Sequence, residues 1–349
     1  MGVNSHKTFY RVAMSVLIVM LSGLTVVAKS TDDVVTLRNG DRITGEIKRL
    51  QHGELEFKAS YMAESVLLDW TKVARLETKD MYLISLVGGQ RFSDHFKLVD
   101  GPSGADNFQI GPVVKINPTQ VVGILPIEAN FWRQLTGSID LGLNFTSANE
   151  QYQAEILAEV TYRKGFQTLT AAVDSAFSGQ TKGSRTARNQ VTINYQKQLS
   201  RTWYVGGLFD ALRSDQQSLQ LRLTGGGLLG RNLIQTERTR LSTFGGLAVS
   251  HEKYSVPVNQ PRSVNTDALA GLDFVTFRFS ATDISSRLLV YPSLTTPGRV
   301  RTQLRSDLSI KLAKDLWWGL HLYENYDGKP PTNTKKNDLG ITASIGWKF

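Results

Sequence analysis

The 349-residue chain carries five histidines and no cysteine. His6, His52, His95, His251 and His321 form no H-x-x-x-H pair, so a zinc site would have to be gathered from distant residues. The absence of cysteine excludes thiol nucleophiles, thiolate metal sites and disulfide-stapled scaffolds. His251 and His321 fall near strand ends among many serines, which leaves open a hydrolase triad inside a barrel; geometry, not spacing, decides that. Gly225-Gly226-Gly227-Leu228-Leu229-Gly230 satisfies G-x-G-x-x-G, but a dinucleotide site needs a strand followed by a helix. Leu219, Leu221 and Leu223 lead in with strand alternation and no helix pattern follows, so these glycines read as bends or crowded points in a wall. No catalytic residue, cofactor site or metal site is expected.

Greater chemical potential lies in ionisable residues that alternate with apolar ones. If the apolar set faces lipid, the other set faces a lumen: Asp140, Glu155, Glu159, Arg163, Asp174, Asp210, Arg222, Arg240, Arg305, Asp307 and His321. Foremost as lumen-lining candidates are Glu155, Glu159, Arg222, Arg240, Arg305 and Asp307. Two outcomes stand side by side: mixed charges that pair and fill the lumen, or a selectivity field along a small pore.

Strands must position these groups. At the C-terminus Leu339, Ile341, Ala343, Ile345, Trp347 and Phe349 occupy every second position with Thr342, Ser344 and Lys348 between them, a strand with one greasy face. The terminal aromatic and its apolar partners Leu339, Ile341, Ile345 and Trp347 read as an assembly signal. The same period gives twelve segments, near 137–147, 151–163, 166–178, 186–199, 203–214, 217–229, 238–253, 265–279, 284–292, 298–313, 316–327 and 336–349. Each has room for the ~9–11 residues of a membrane-crossing strand plus a connection. An even number puts both barrel ends on one side. Lys164-Gly165, Ser200 to Thr202, Ala281 to Asp283 and Lys314-Asp315 are tight turns of one side, on which Gly230 to Glu237 is unexpectedly long. Gly179 to Arg185, Tyr254 to Val264, Ser293 to Pro297 and Gly328 to Lys335 are loops of the other. Trp132, Trp203, Trp317, Trp318 and Trp347, with Tyr204, Tyr254, Tyr291 and Tyr326, suit interfacial girdles.

Before this region the texture differs. Residues 1–28 carry Lys7 and Arg11, an apolar stretch from Val12 and a small residue at Ala28, the pattern of a secretory signal. Residues 29–135 hold 13 basic and 14 acidic residues, whereas 136–349 hold 25 and 17 of the chain's total of 40 and 31. An internal repeat runs through the first region: Val35 to Ile43 is echoed by Ile84 to Phe92, and Leu68 to Leu76 by Ile116 to Ile124. Two tandem small five-stranded barrels are expected, at 29–80 and 81–135. Val35 through the Asn39-Gly40-Asp41 turn to Gly45 and Glu46 resembles Sm-like and SH3-like barrels. That fold implies RNA, but the near-neutral charge and an exported chain argue against nucleic acid.

Tyr291-Pro292-Ser293-Leu294, Pro297-Gly298, Arg301, Tyr323-Glu324-Asn325-Tyr326-Asp327, Pro330-Pro331, Lys336-Asn337-Asp338 and Gly346-Trp347-Lys348-Phe349 resemble the tail of the YdiY-like, salt-induced outer-membrane proteins, domain-of-unknown-function family 481. The resemblance spans about 135–349 and implies an outer-membrane barrel of unassigned role, with no catalytic residues to carry over. The expected fold class is therefore all-β, a 12-stranded antiparallel transmembrane barrel preceded by two small barrel modules in the periplasm. The expected function is a narrow channel or passive transporter for small hydrophilic solutes, not an enzyme. Alternatives are an anchored structural or interaction protein whose modules bind cell wall or a protein partner, and a barrel-embedded hydrolase. Outer-membrane lipids including anionic lipopolysaccharide, and the barrel assembly machinery, are the expected partners.

Overall fold

The computed structural model describes residues 33–51, 53–87, 91–97, 108–110, 114–116, 118–127, 135–146, 151–164, 166–180, 185–200, 202–236, 238–255, 264–279, 282–313, 315–331 and 334–348. The signal segment 1–28, His6, His52, Trp132 and Phe349 lie outside them.

The N-terminal region contains β1 (Asp33–Leu37), β2 (Arg42–Gln51), β3 (Glu54–Lys58), β4 (Val66–Asp69), β5 (Val73–Glu77), β6 (Tyr82–Leu86), β7 (Arg91–Asp94), β8 (Phe96–Lys97), β9 (Phe108–Ile110), β10 (Val114–Ile116) and β11 (Val121–Pro126). The repeat has a structural counterpart. β1 pairs with β2 and β5, and β6 pairs with β7 and β11, all antiparallel. Short 3-10 turns at Trp70–Lys72 and Pro118–Gln120 precede β5 and β11. The β1–β2 hairpin turns at Asn39-Gly40-Asp41: Gly40 has φ +94°, open to glycine at no steric cost, and Asn39 bonds Asp41 through both its side-chain ends.

The two copies do not close separately. β2 also pairs with β11, joining them in one eight-stranded sheet, while β8, β9 and β10 form a small sheet of their own. Ile47, Leu55, Phe57 and Trp70 of the first copy and Ile84, Phe96, Val121 and Ile124 of the second share a single buried core. Equivalent residues of the repeat touch each other: the Trp70 indole N–H donates to the Pro118 carbonyl at 2.9 Å, and the Tyr82 hydroxyl donates to Asp33 at 2.5 Å. Such self-meeting is expected beside a pseudo-twofold axis. A chain of ~50 residues has too little interior to stand alone, so fusing two cores is the cheaper solution.

The second region is a closed barrel of twelve strands in sequence order: β12 (Leu135–Thr146), β13 (Gln151–Lys164), β14 (Gln167–Gln180), β15 (Arg185–Gln198), β16 (Trp203–Ser214), β17 (Leu219–Gln235), β18 (Thr239–Tyr254), β19 (Val264–Phe279), β20 (Thr282–Pro292), β21 (Val300–Lys311), β22 (Leu316–Asp327) and β23 (Asn337–Lys348). β12 pairs antiparallel with β23, Gly142 opposite Ser344, and leaves no edge. The long turn expected at Gly230 to Glu237 is absent: β17 continues to Gln235, and a tight turn follows in which Thr236 N–H donates to the Thr239 carbonyl. Leu233 and Ile234 mask their strand character because a register shift between Asn232 and Ile234 breaks the strict alternation. With that correction one end carries only short turns and the chain ends, and the other carries the longer connections.

Candidate functional site: the barrel lumen

Strand alternation decides what the lumen contains. Leu141, Leu143, Ile156, Leu247, Leu339, Ile341, Ile345 and Trp347 lie exposed outside, whereas Asp140, Glu155, Asp174, Arg188, Asp210, Arg222, Glu252, Asp267 and His321 are buried inside. Among the aromatics, Trp203 and Trp347 are on the exterior as a girdle requires, but Tyr204 and Tyr291 are buried inward. Tyr254 joins an inward arginine cluster, and the Trp317 ring lies 3.5 Å from the Lys348 ammonium. Period two alone sets the side on which a residue falls, and those rings sit at inward positions.

The glycines of the 225–230 run are wall positions in β17, not a phosphate loop. A Cβ at Gly230 would overlap the Tyr204 ring, and one at Gly340 the Tyr323 ring. These residues let large side chains lie flat across the neighbouring strand.

At the long-loop end the lumen is crossed by an ion-pair network. Arg299 is 1% exposed although it belongs to the β20–β21 connection. It donates to Asp327 at 3.0 Å through Nε and pairs with Glu252 at 2.9 Å through Nη1. Arg222 spans the same two acids at 2.7 and 3.1 Å, and Arg301 reaches Glu252 at 3.5 Å and pairs with Asp267. Three guanidiniums thus face three carboxylates, so each buried charge has an opposite charge beside it, which offsets part of the cost of burial. Gly298, at φ +73°, turns the loop inward just before Arg299.

Below this network lies a cavity of about 370 Å³. Glu159, Asp174, Arg188, Asp210, Arg240, Asp273, Arg287, Arg305 and Asp307 border it, with threonine, glutamine and asparagine side chains of β14 and β15. Arg287 grips Asp273 by two bonds of 2.5 and 3.0 Å, Arg188 pairs with Asp174 at 2.8 Å and lies 4.0 Å over the Tyr323 ring, and Arg305 reaches Asp307 at 3.2 Å. Of the six foremost sequence candidates, Glu159, Arg240, Arg305 and Asp307 border this cavity. Arg222 belongs to the ion-pair network, and Glu155 is buried in the wall at 2% exposure. Glu252, Asp267, Asp327 and Arg301 are absent from the lumen set read from the sequence, though the same alternation marks them. Arg299 falls within the expected segment 298–313 on the same parity as Arg301 and Arg305, but it lies one residue before β21 begins at Val300.

His251 and His321 do not meet: His251 is exposed on β18, and His321 is buried inside β22. His321 instead stands between Asp307, 2.7 Å from Nδ1, and Ser344, 2.8 Å from Nε2, which is the connectivity of a nucleophilic triad. Its surroundings oppose that chemistry. Asp140 lies 3.9 Å from the same Nε2, and Glu155 is separated from Ser344 in the sheet only by Gly142, so an oxyanion formed there would face carboxylates instead of donors.

An even-stranded antiparallel barrel with no edge, apolar outside and charged within, is a transmembrane β-barrel of the outer-membrane class. The pattern of DUF481, a protein family of unknown function, matches residues 139–349, and the chain belongs to that family. No curated protein matches the chain. Among solved structures it is similar to the NanC porin (14% identity, 60% of this chain and 98% of that one, TM-score 0.38). It is also similar to the translocator domain of the autotransporter NalP from Neisseria meningitidis (15%, 62% and 87%, 0.35) and to the KdgM porin in complex with disordered oligogalacturonate (9%, 61% and 99%, 0.33).

Proposed function

We propose that this protein is a narrow channel or passive transporter for small hydrophilic solutes in the bacterial outer membrane, its short-turn end and N-terminal module in the periplasm. The observation that carries the reading is the polar, charge-lined cavity of about 370 Å³ inside a closed barrel. Charge in a narrow low-dielectric passage biases which ions enter it. The decisive measurement is single-channel conductance of the purified full chain in planar bilayers. Replacing Arg222, Arg240 and Arg305 together by Gln should shift the reversal potential toward cations in a salt gradient. A folded barrel that conducts nothing would overturn the channel reading.

One observation favours a second reading. The neutral Arg222–Arg299–Arg301 network fills the long-loop end, as it would in a plugged barrel that anchors a periplasmic module to cell wall or a protein partner. Lipopolysaccharide and other outer-membrane lipids are the proposed surroundings of the apolar exterior. The proposed assembly partner is the barrel insertion machinery, reading Leu339, Ile341, Ile345, Trp347 and the terminal Phe349; deleting Phe349 should lower the heat-modifiable, protease-resistant form in membrane fractions.

A further inference from the structure

The paired strands β6 and β11 have two faces. Tyr82, Ile84 and Leu86 enter the core of the N-terminal module. Leu83 and Ser85, between them, point the other way, and Leu83 stands directly opposite Leu125 of β11. An outward leucine on a module surface is ordinarily exposed, yet Leu83 is only 4% exposed and belongs to no core cluster of the module. It faces the barrel: Leu83, Ser85 and Leu125 border the same cavity as Phe166, Gln235 and Arg240. A second link lies at the same end. Burial raises the Asp69 carboxyl, but hydrogen bonds from Thr71, with the charges of Arg238 and Lys72, bring it below its ordinary value. Arg238 belongs to the tight turn between β17 and β18, beside Gln235 and Arg240.

We infer that the outer face of the β6–β11 pair is a docking surface and that its occupant is the short-turn mouth of this chain's own barrel, so that the N-terminal module is seated as a plug over the lumen. Only residues 128–134 separate the described end of the module from β12. A tether that short holds the module at an effective concentration in the ~mM range, enough for a small leucine-centred contact to stay occupied while remaining separable. The docking itself does not depend on the channel reading; its effect on conductance does.

The absence of native cysteine makes the test clean in the full chain. Leu83→Cys is combined in turn with Phe166→Cys, Gln235→Cys or Arg240→Cys and treated with a short bis-maleimide in outer-membrane vesicles, with Leu83→Cys plus Leu339→Cys as the remote control. At least one of the three pairs should cross-link and the control should not. A disulfide formed in the best pair should abolish conductance reversibly on reduction, and Leu83→Asp with Leu125→Asp should raise it without altering heat modifiability. Cross-linking without any conductance in any state supports the docking and overturns the channel. Failure of all three pairs in a chain that keeps its heat modifiability would overturn the docking itself.

Discussion

The module and the barrel are built from the same antiparallel pairing and are inside out relative to each other. In the module Val35, Ile47, Phe57, Trp70 and Ile84 fill the interior, and Asp33 is the one buried carboxylate among its described residues. In the barrel the interior holds Asp140, Glu155, Asp174, Arg188, Asp210, Arg222 and Glu252 beside a small apolar cluster of Leu208, Ala248, Leu269 and Tyr291, while Leu141, Leu143, Leu247, Ile341 and Ile345 are exposed outside. A backbone ladder is indifferent to which face is greasy; the solvent on each side decides. The module draws its stability from apolar burial, which core truncation destroys. The barrel depends on closure of the ladder and on keeping charge off the lipid face.

The largest expected effect is therefore in the module. Phe57 is fully buried at the centre of the shared core, and Phe57→Ala should cost about 3–5 kcal/mol, enough to unfold a module of this size. The barrel should be untouched: limited proteolysis should remove the N-terminal region while the heat-modifiable barrel band persists. Because the two repeats share one core, β6 to β11 should be lost together with β1 to β5. Selective survival of the second copy would show that each copy folds independently.

The barrel inverts the rule. Leu308 lies between Asp307 and Ser309 on β21, opposite Ile284, on the lipid side of a register in which Arg305 and Asp307 face inward. Leu308→Arg should cost ~2–4 kcal/mol, as measured by urea unfolding in lipid vesicles. Arg305→Leu should cost less, since it removes a 3.2 Å pairing with Asp307 in a lumen that holds other cations. Equal losses would mean that facing does not govern stability here.

Alternation made the barrel legible. All twelve strands, the closure and the inward side of Glu155, Arg240 and Asp307 follow from period two, which a membrane barrel must maintain along its whole length. Where the period breaks, legibility ends: β17 runs six residues beyond the expected 229 to Gln235 because the shift at Asn232 scrambles the pattern. Arg299 shares the inward parity of Arg301 and Arg305 in the expected segment 298–313, but its ion pairs with Glu252 and Asp327 join it to distant strands and leave no local trace. In the module the repeat was legible from residue types, but the joining of β2 to β11 was not. Such long-range pairing leaves no local trace when both partners read simply as strands. Asp307–His321–Ser344 shows the converse limit: Asp307 and His321 are both marked in the sequence as inward, but their joining with Ser344 on adjacent strands into one hydrogen-bonded row appears only in space.

The smallest effect concerns the one place where the module imitates the barrel. Asp33 is fully buried and accepts bonds from the Tyr82 hydroxyl at 2.5 Å and the Ile47 N–H at 3.1 Å. Burial raises its carboxyl above the ordinary value of ~3.9, outweighing the hydrogen bonds that favour the anion, so folding favours the protonated form relative to the unfolded chain. The sign follows from linkage: the stabilisation is complete below the unfolded value and is lost as pH rises through the higher folded value. Asp33→Asn keeps an acceptor for Tyr82 and Ile47 without the charge, so it should flatten this part of the module's pH–stability curve and be at least as stable as the parent at neutral pH. Asp33→Ala leaves both donors unmet and should cost about 1–3 kcal/mol at every pH. Chemical denaturation followed by tryptophan fluorescence, with Trp70 in the same core, reads all three proteins. A parent curve that rises with pH across this window would mean that the ion is stabilised in place, and that one buried charge can be as well housed in the module as the many paired charges are in the barrel.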